Sequence, residues 1–283
     1  MKKATSILFG TNITNMDFIQ FLQYSFIQKA FFAGSFVAIT CSALGLFLVL
    51  RKMSLIGDGL SHVSFGAIAL GLFFGLYPFY VAVPVVAIAS LLILKISEKA
   101  RVYGDAAIGI VSAVGIAGGV ILASLSRGFN VDLFSYLFGN ILAISNIEVL
   151  LSVILSLVVL AVIYFFYWDL FSTTFDEEYA KTTGIKTNFI NSLLTVLTAI
   201  TVVLSVKVVG IMLVSALLIL PAVTALQISK RFKTAMIIGC LTSLASVLTG
   251  ITVSFSLDLP TGATIVMINA LFFGLALIYK KIA

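Results

Sequence analysis

Nine nearly charge-free apolar runs, most of them close to twenty residues long, restrict this chain more than anything else in it. A helix needs about 20 residues to cross the hydrocarbon of a bilayer. Inside lipid, only helices and closed barrels satisfy every backbone N–H and C=O. The runs fall near residues 30–50, 55–76, 78–94, 106–126, 147–167, 191–206, 208–226, 235–257 and 261–279. They lack the short apolar–polar alternation of a membrane barrel. Charged residues make up only 10% of the 283, too few to solvate a soluble domain of this size. The expected fold is an all-α, polytopic membrane helix bundle of eight or nine transmembrane helices. The count is eight if the runs on either side of Lys207 form one broken helix with a re-entrant turn.

The remaining charges give an orientation. Basic clusters at Arg51-Lys52, Lys95 to Arg101, Lys230-Arg231-Lys233 and Lys280-Lys281 fall on one side when every run crosses once. That side is cytoplasmic by the positive-inside rule, and the net charge of +6 is read this way rather than as a nucleic-acid surface. Lys2, Lys3, Lys29 and Lys207 then lie on the outer side. Ile7-Leu8-Phe9 is too short for the apolar region of a cleaved signal peptide, so the spans themselves carry insertion. Residues 1–29 read as a variable N-terminal segment, and 30–283 as a single transmembrane domain. Its outer loop, 127–146, holds an apolar patch at 133–144 that is too short to span. Its cytoplasmic loop, near 169–188, contains a short helix with Asp176, Glu177 and Glu178 at its start, Lys181 near its end and a stop at Gly184. That helix is either a connector or a handle for a soluble partner.

Glycines in the second and fourth runs, among them Gly66, Gly71, Gly115 and Gly119, suit close helix packing. No glycine-rich run leads into a Lys-Ser or Lys-Thr pair, so any ATP hydrolysis belongs to another chain. Cys41 and Cys240 sit in apolar runs without metal-type spacing and read as buried structural thiols. The chemistry is concentrated at Asp58 and His62, the latter the single histidine of the chain. Four residues apart on a helix, they share one face one turn apart. Counted from Arg51 along a helix axis, Asp58 lies roughly 10 Å below the surface. A carboxylate and an imidazole so placed form a half-site for a divalent transition metal, which a second copy of the chain would complete. The alternative is structural: an Asp58–His62 pair, or Asp58 turned back to Arg51 or Lys52. Asp132 and Asp258, at outer span ends, read as interfacial residues, with cation admission as the second reading. Met212 and Met267 are either soft ligands or core filling.

Five segments together resemble one family. They are Arg51-Lys52-Met53 leading into Gly57-Asp58-x-x-Ser61-His62; Asp132-Leu133-Phe134-Ser135-Tyr136-Leu137-Phe138-Gly139; Asp176-Glu177-Glu178-x-Ala180 with Gly184; the run Gly210 to Leu220-Pro221-Ala222; and Asp258-Leu259-Pro260-x-Gly262. In this order they resemble the permease subunits of bacterial ABC importers for zinc, manganese and related divalent metals. The resemblance implies a homodimeric permease in the cell membrane, with ATP bound and hydrolysed by cytoplasmic partner subunits. It also implies an external metal-binding protein that delivers zinc, manganese or iron, and no resident cofactor on this chain. By the same resemblance Asp58 and His62 lie on the metal path, and Asp176, Glu177, Glu178 and Gly184 belong to the ATPase contact. A secondary transporter driven by an ion gradient is the alternative, although such proteins carry more intramembrane carboxylates. An intramembrane metalloenzyme would need a third ligand and a base. No His-Glu-x-x-His motif supplies them.

Overall fold

The computed structural model describes residues 24–99, 104–125, 136–139 and 144–282. Its helices are α1 (Ser25–Leu50), α2 (Ile56–Phe73), α3 (Pro78–Lys99), α4 (Gly104–Leu125), α5 (Asn146–Phe165), α6 (Tyr167–Phe175), α7 (Glu177–Thr182), α8 (Thr187–Val209), α9 (Val214–Ile228), α10 (Phe232–Leu257) and α11 (Thr261–Ile282). A 3-10 turn, Ile211–Leu213, leads into α9. Among the described residues, nine of these spans are long and apolar enough to cross a bilayer, and there are no strands. The all-α bundle expected from run length is therefore present. Residues 1–23 and Asp132 lie outside the described residues.

Nine passes rather than eight follow from the chain reversal at Gly210. Arg51, at the end of α1, donates a hydrogen bond to Asn191 at the start of α8, 2.7 Å away. Leu46, near the end of α1, shares a buried cluster with Ala222 and Ala225, near the end of α9. The start of α8 and the end of α9 thus lie at the same membrane face, and α8 and α9 are separate crossings. The reversal is compact because Gly210, at φ 86°, stacks its backbone on Gly139. A Cβ on Gly210 would meet backbone atoms of Phe138 and Gly139, which only glycine avoids. Lys280 donates to Gln227 at the same face as Arg51, so the basic clusters converge there as the positive-inside reading requires.

α1, α2 and α8 form the interior; about three quarters of α8 is buried, whereas α3, α4, α5, α10 and α11 are mostly peripheral. α1 ends in a Schellman motif: Met53 N–H reaches back to Leu48 O (2.9 Å) across Lys52, at φ 57°. α10 ends the same way, with Leu259 N–H on Ser254 O (3.0 Å) across Asp258 at φ 52°. Asp258 is exposed there, and its short polar side chain tolerates the left-handed conformation. At the cytoplasmic face Phe232, the first residue of α10, gathers Phe47 of α1 and Phe171 of α6 at 5.2 and 5.1 Å between ring centroids. That aromatic cluster fixes α6 against the bundle. Cys41 is buried with its Sγ 2.9 Å from Ser205 Oγ, and Cys240 is partly buried; neither is in a disulfide.

The glycines of α2 and α4 divide into two kinds. A Cβ on Gly66 would lie 2.5 Å from Gly115 O, one on Gly115 2.7 Å from Val63 Cα, and one on Gly119 2.6 Å from the Phe65 ring. Here α2 and α4 touch backbone to backbone, as small residues in a membrane permit. Gly109 and Gly118 have open space instead. Gly115→Ala should cost about 1–3 kcal/mol by overpacking. The check is a lowered thermal midpoint of the detergent-solubilised protein, with Gly118→Ala leaving the midpoint unchanged.

Candidate functional site

The Schellman turn breaks the chain between Arg51 and α2, so Asp58 is in the first turn of a new helix rather than seven residues along an old one. The depth counted along one axis from Arg51 is replaced by what surrounds the residue. Gly57 abuts Leu218, ten residues before the end of α9, and Gly59 abuts Ile108, four residues into α4. Asp58 therefore lies some way inside the cytoplasmic ends of both neighbours, roughly 6–15 Å at 1.5 Å per residue. The flanking glycines allow this closeness: a Cβ on Gly57 would meet Leu218 Cδ1 at 2.8 Å, and one on Gly59 would meet Ile108 Cγ2 at 2.4 Å. The helix N-terminus favours a carboxylate at Asp58.

Asp58 Oδ2 and His62 Nε2 stand 3.6 Å apart, with side chains 48% and 24% exposed. That separation is an ion-pair distance, too long for a hydrogen bond. Asp58 does not turn back to Arg51, whose partners are Glu177 and Asn191. Between Ile56 and Gly71 every residue of α2 is buried except Asp58, His62, Gly66 and Leu70. These four follow the i, i+4 spacing, but Gly66 rests on Gly115 of α4, so the open stripe is the turn that carries Asp58 and His62. The Ser61 hydroxyl is satisfied by Asp58 O at 2.7 Å, which leaves the carboxylate and the imidazole as the free donors on the stripe. Among the described residues no group of three His, Cys, Asp or Glu side chains converges. Oxygen and nitrogen donors of this kind suit manganese, iron(II) and zinc.

The cytoplasmic segment is built as its sequence implies. The Asp176 carboxylate caps α7 by accepting the Tyr179 N–H at 2.9 Å. Gly184, at φ 89°, ends it, with Ile185 N–H on Ala180 O. The acidic residues then part company. Glu177 turns inward to Arg51 (3.5 Å) and Lys181 (3.0 Å), and Asn191 Nδ2 donates to it at 3.5 Å. Glu178, Tyr179 and Gly184 face outward. Burial pulls the Arg51 guanidinium down from its usual range, and the charge of Glu177 opposes that pull. Arg51 thus ties the end of α1 to α7 and to the start of α8. Just past α7 a cleft of about 320 Å³ opens between Phe166, Asp169, Gly184 and Lys186.

Two features escape a reading of local pattern. Glu148, in the first turn of α5, pairs with Lys207, in the last turn of α8, at 3.0 Å with both side chains nearly buried. A signal existed: Ser145-x-x-Glu148 ahead of an apolar run is a capping box, and the structure contains it. Met212 and Met267 are exposed, at 55% and 63%, so neither fills the core.

A nine-span bundle with an ionisable pair on an interior helix and a capped helix on its cytoplasmic face has the build of a membrane transport protein. Residues 23–280 match the ABC 3 transport family, and the chain belongs to it. It is 36% identical over 270 residues to the manganese transport system membrane protein MntC of Halalkalibacterium halodurans, covering 95% of this chain and 92% of that one. It is 34% identical over 262 residues to a probable iron transport system membrane protein of Haemophilus influenzae, covering 92% and 96%. The solved structure of PsaBC from Streptococcus pneumoniae in complex with Fab superposes with a TM-score of 0.83 at 33% identity, covering 92% of this chain and 94% of that one. The chain is therefore the membrane subunit of an ABC transporter, a permease without enzymatic activity of its own. The gradient-driven alternative and the metalloenzyme are set aside.

Removing Arg51 takes one of two cations from Glu177, which keeps Lys181, and takes the donor from Asn191 Oδ1. Arg51→Ala should destabilise the solubilised protein by about 1.5–3 kcal/mol. Glu178→Ala, at an exposed site, should stay within about 0.5 kcal/mol in the same thermal unfolding measurement.

Proposed function

We propose that two copies of this chain form the path by which a divalent transition metal, manganese foremost, enters the cell, with Asp58 and His62 of each copy as transient ligands. The observation that carries this reading is the open stripe on α2, where the two free donors lie one turn apart on a helix otherwise enclosed. Two ligands bind an ion weakly. A second copy would add the same two and give a four-donor shell, enough to hold an ion and few enough to release it. The names of the similar proteins, one for manganese and one for iron, support a metal with mixed oxygen and nitrogen preference.

The partners follow from the same reading. ATP is bound and hydrolysed by cytoplasmic subunits that dock on α7, where Asp176 and Gly184 shape the helix and Glu178 faces the partner. Glu177 belongs to the contact indirectly, as the link from α7 to Arg51. An external binding protein delivers the ion to the outer mouth. ATP binding and hydrolysis move α7, and the bundle alternates between outward and inward access.

The test is uptake by the reconstituted complex of permease, ATPase and delivery protein. Asp58→Ala and His62→Ala should assemble normally and lose at least about 10–100-fold of ATP-dependent manganese uptake. Full uptake by both variants would overturn the ligand assignment. Competition among manganese, iron(II) and zinc in the wild-type complex ranks the metals.

A further inference from the structure

α5 and α8 flank the cytoplasmic segment made by α6 and α7: α5 runs into it and α8 runs out of it. Among the described membrane spans they alone contain neither glycine nor proline. Helices bend sharply at proline, at Gly/Ser pairs and at bulges, so these two spans are built without the usual hinges. At their outer tips they meet in the Glu148–Lys207 pair, 3.0 Å apart, with side chains 6% and 11% exposed. The second carboxylate oxygen of Glu148 accepts the Ser145 N–H at 2.8 Å. Lys207 Nζ also stands 4.3 Å over the Tyr136 ring, and three residues on, Gly210 lies backbone to backbone with Gly139. The pair therefore touches the outer segment 136–139 at Tyr136, and that segment meets the α8–α9 reversal at Gly139. At the other end, Asn191 of α8 is bound into the Arg51–Glu177 link.

A buried ion pair adds little net stability compared with apolar side chains of similar volume, because desolvation offsets the attraction. What it supplies here is a fixed meeting point for two stiff arms. We propose that Glu148 and Lys207 are positioning residues for transport. They clasp α5 and α8 into a closed two-armed lever, so that a displacement of α6–α7 by the ATPase is delivered to the outer segment 136–139 and the turn at Gly210. This inference rests on the reading of α7 as the ATPase contact.

The test uses the reconstituted complex with manganese-loaded delivery protein. Lys207→Met and Glu148→Gln should assemble and keep basal ATP hydrolysis within about twofold, yet lose at least about tenfold of delivery-protein stimulation and of uptake, in the range of typical coupling energies. Lys207→Arg, which keeps the pair, should recover both readouts to within about threefold. Three results overturn the inference: stimulation retained by Lys207→Met, Lys207→Arg as uncoupled as Lys207→Met, or failure of both Lys207→Met and Glu148→Gln to assemble, which assigns the pair to folding alone. Absence of ATP-dependent uptake in the wild-type complex instead overturns the functional reading beneath it.

Discussion

The bilayer's inability to solvate charge governs where the described ionisable groups at and within the spans lie. A charge within the spans must be paired, placed at an end, or opened to a cavity. Each case is present. Glu148 and Lys207 neutralise one another at the outer face, while Arg51 is held by Glu177 and Asn191 at the inner face. Asp58 and His62 are left as the charged or chargeable pair on an interior helix that keeps an open side. The backbone follows the same rule, since helix ends close on themselves through Schellman motifs at Lys52 and Asp258.

The bundle was largely legible in the sequence because run length against membrane thickness is a one-dimensional quantity. The nine runs, the inward-facing basic clusters and the capped α7 follow from it and from the Asp176 and Gly184 signals. The same holds for the i, i+4 pairing of Asp58 and His62, a property of one helix. What stayed hidden depends on distant partners. Nothing near Glu177 tells that its carboxylate turns to Arg51, and nothing near Lys207 names Glu148. The eight-or-nine ambiguity had the same origin, because it takes the contact of Asn191 with Arg51 and the cluster of Leu46 with Ala222 and Ala225 to show that the chain reverses at Gly210. The break after Arg51 was hidden for another reason: it uses lysine, where a left-handed residue is more often glycine.

Stiff and yielding parts are distributed unevenly. α2 and α4 are joined by glycine contacts that fix a close approach, and Pro84 and Pro221 interrupt α3 and α9. α5 and α8 carry no such interruption and enclose the segment that faces the cytoplasm. Rigid elements transmit displacement, and soft ones absorb it. The arrangement assigns transmission to one pair of helices and leaves accommodation to the rest.

The open stripe on α2 has one more consequence. A chain that offers two donors on a single face does not itself fix how tightly an ion is held. On the proposed reading, whatever stands opposite the stripe completes the coordination, and the strength of binding becomes a function of a gap between two surfaces. Widening that gap by an ångström or two ends the coordination without protonating or displacing any ligand. On that reading affinity would be a mechanical variable, set and cancelled by the same movement that opens the way inward.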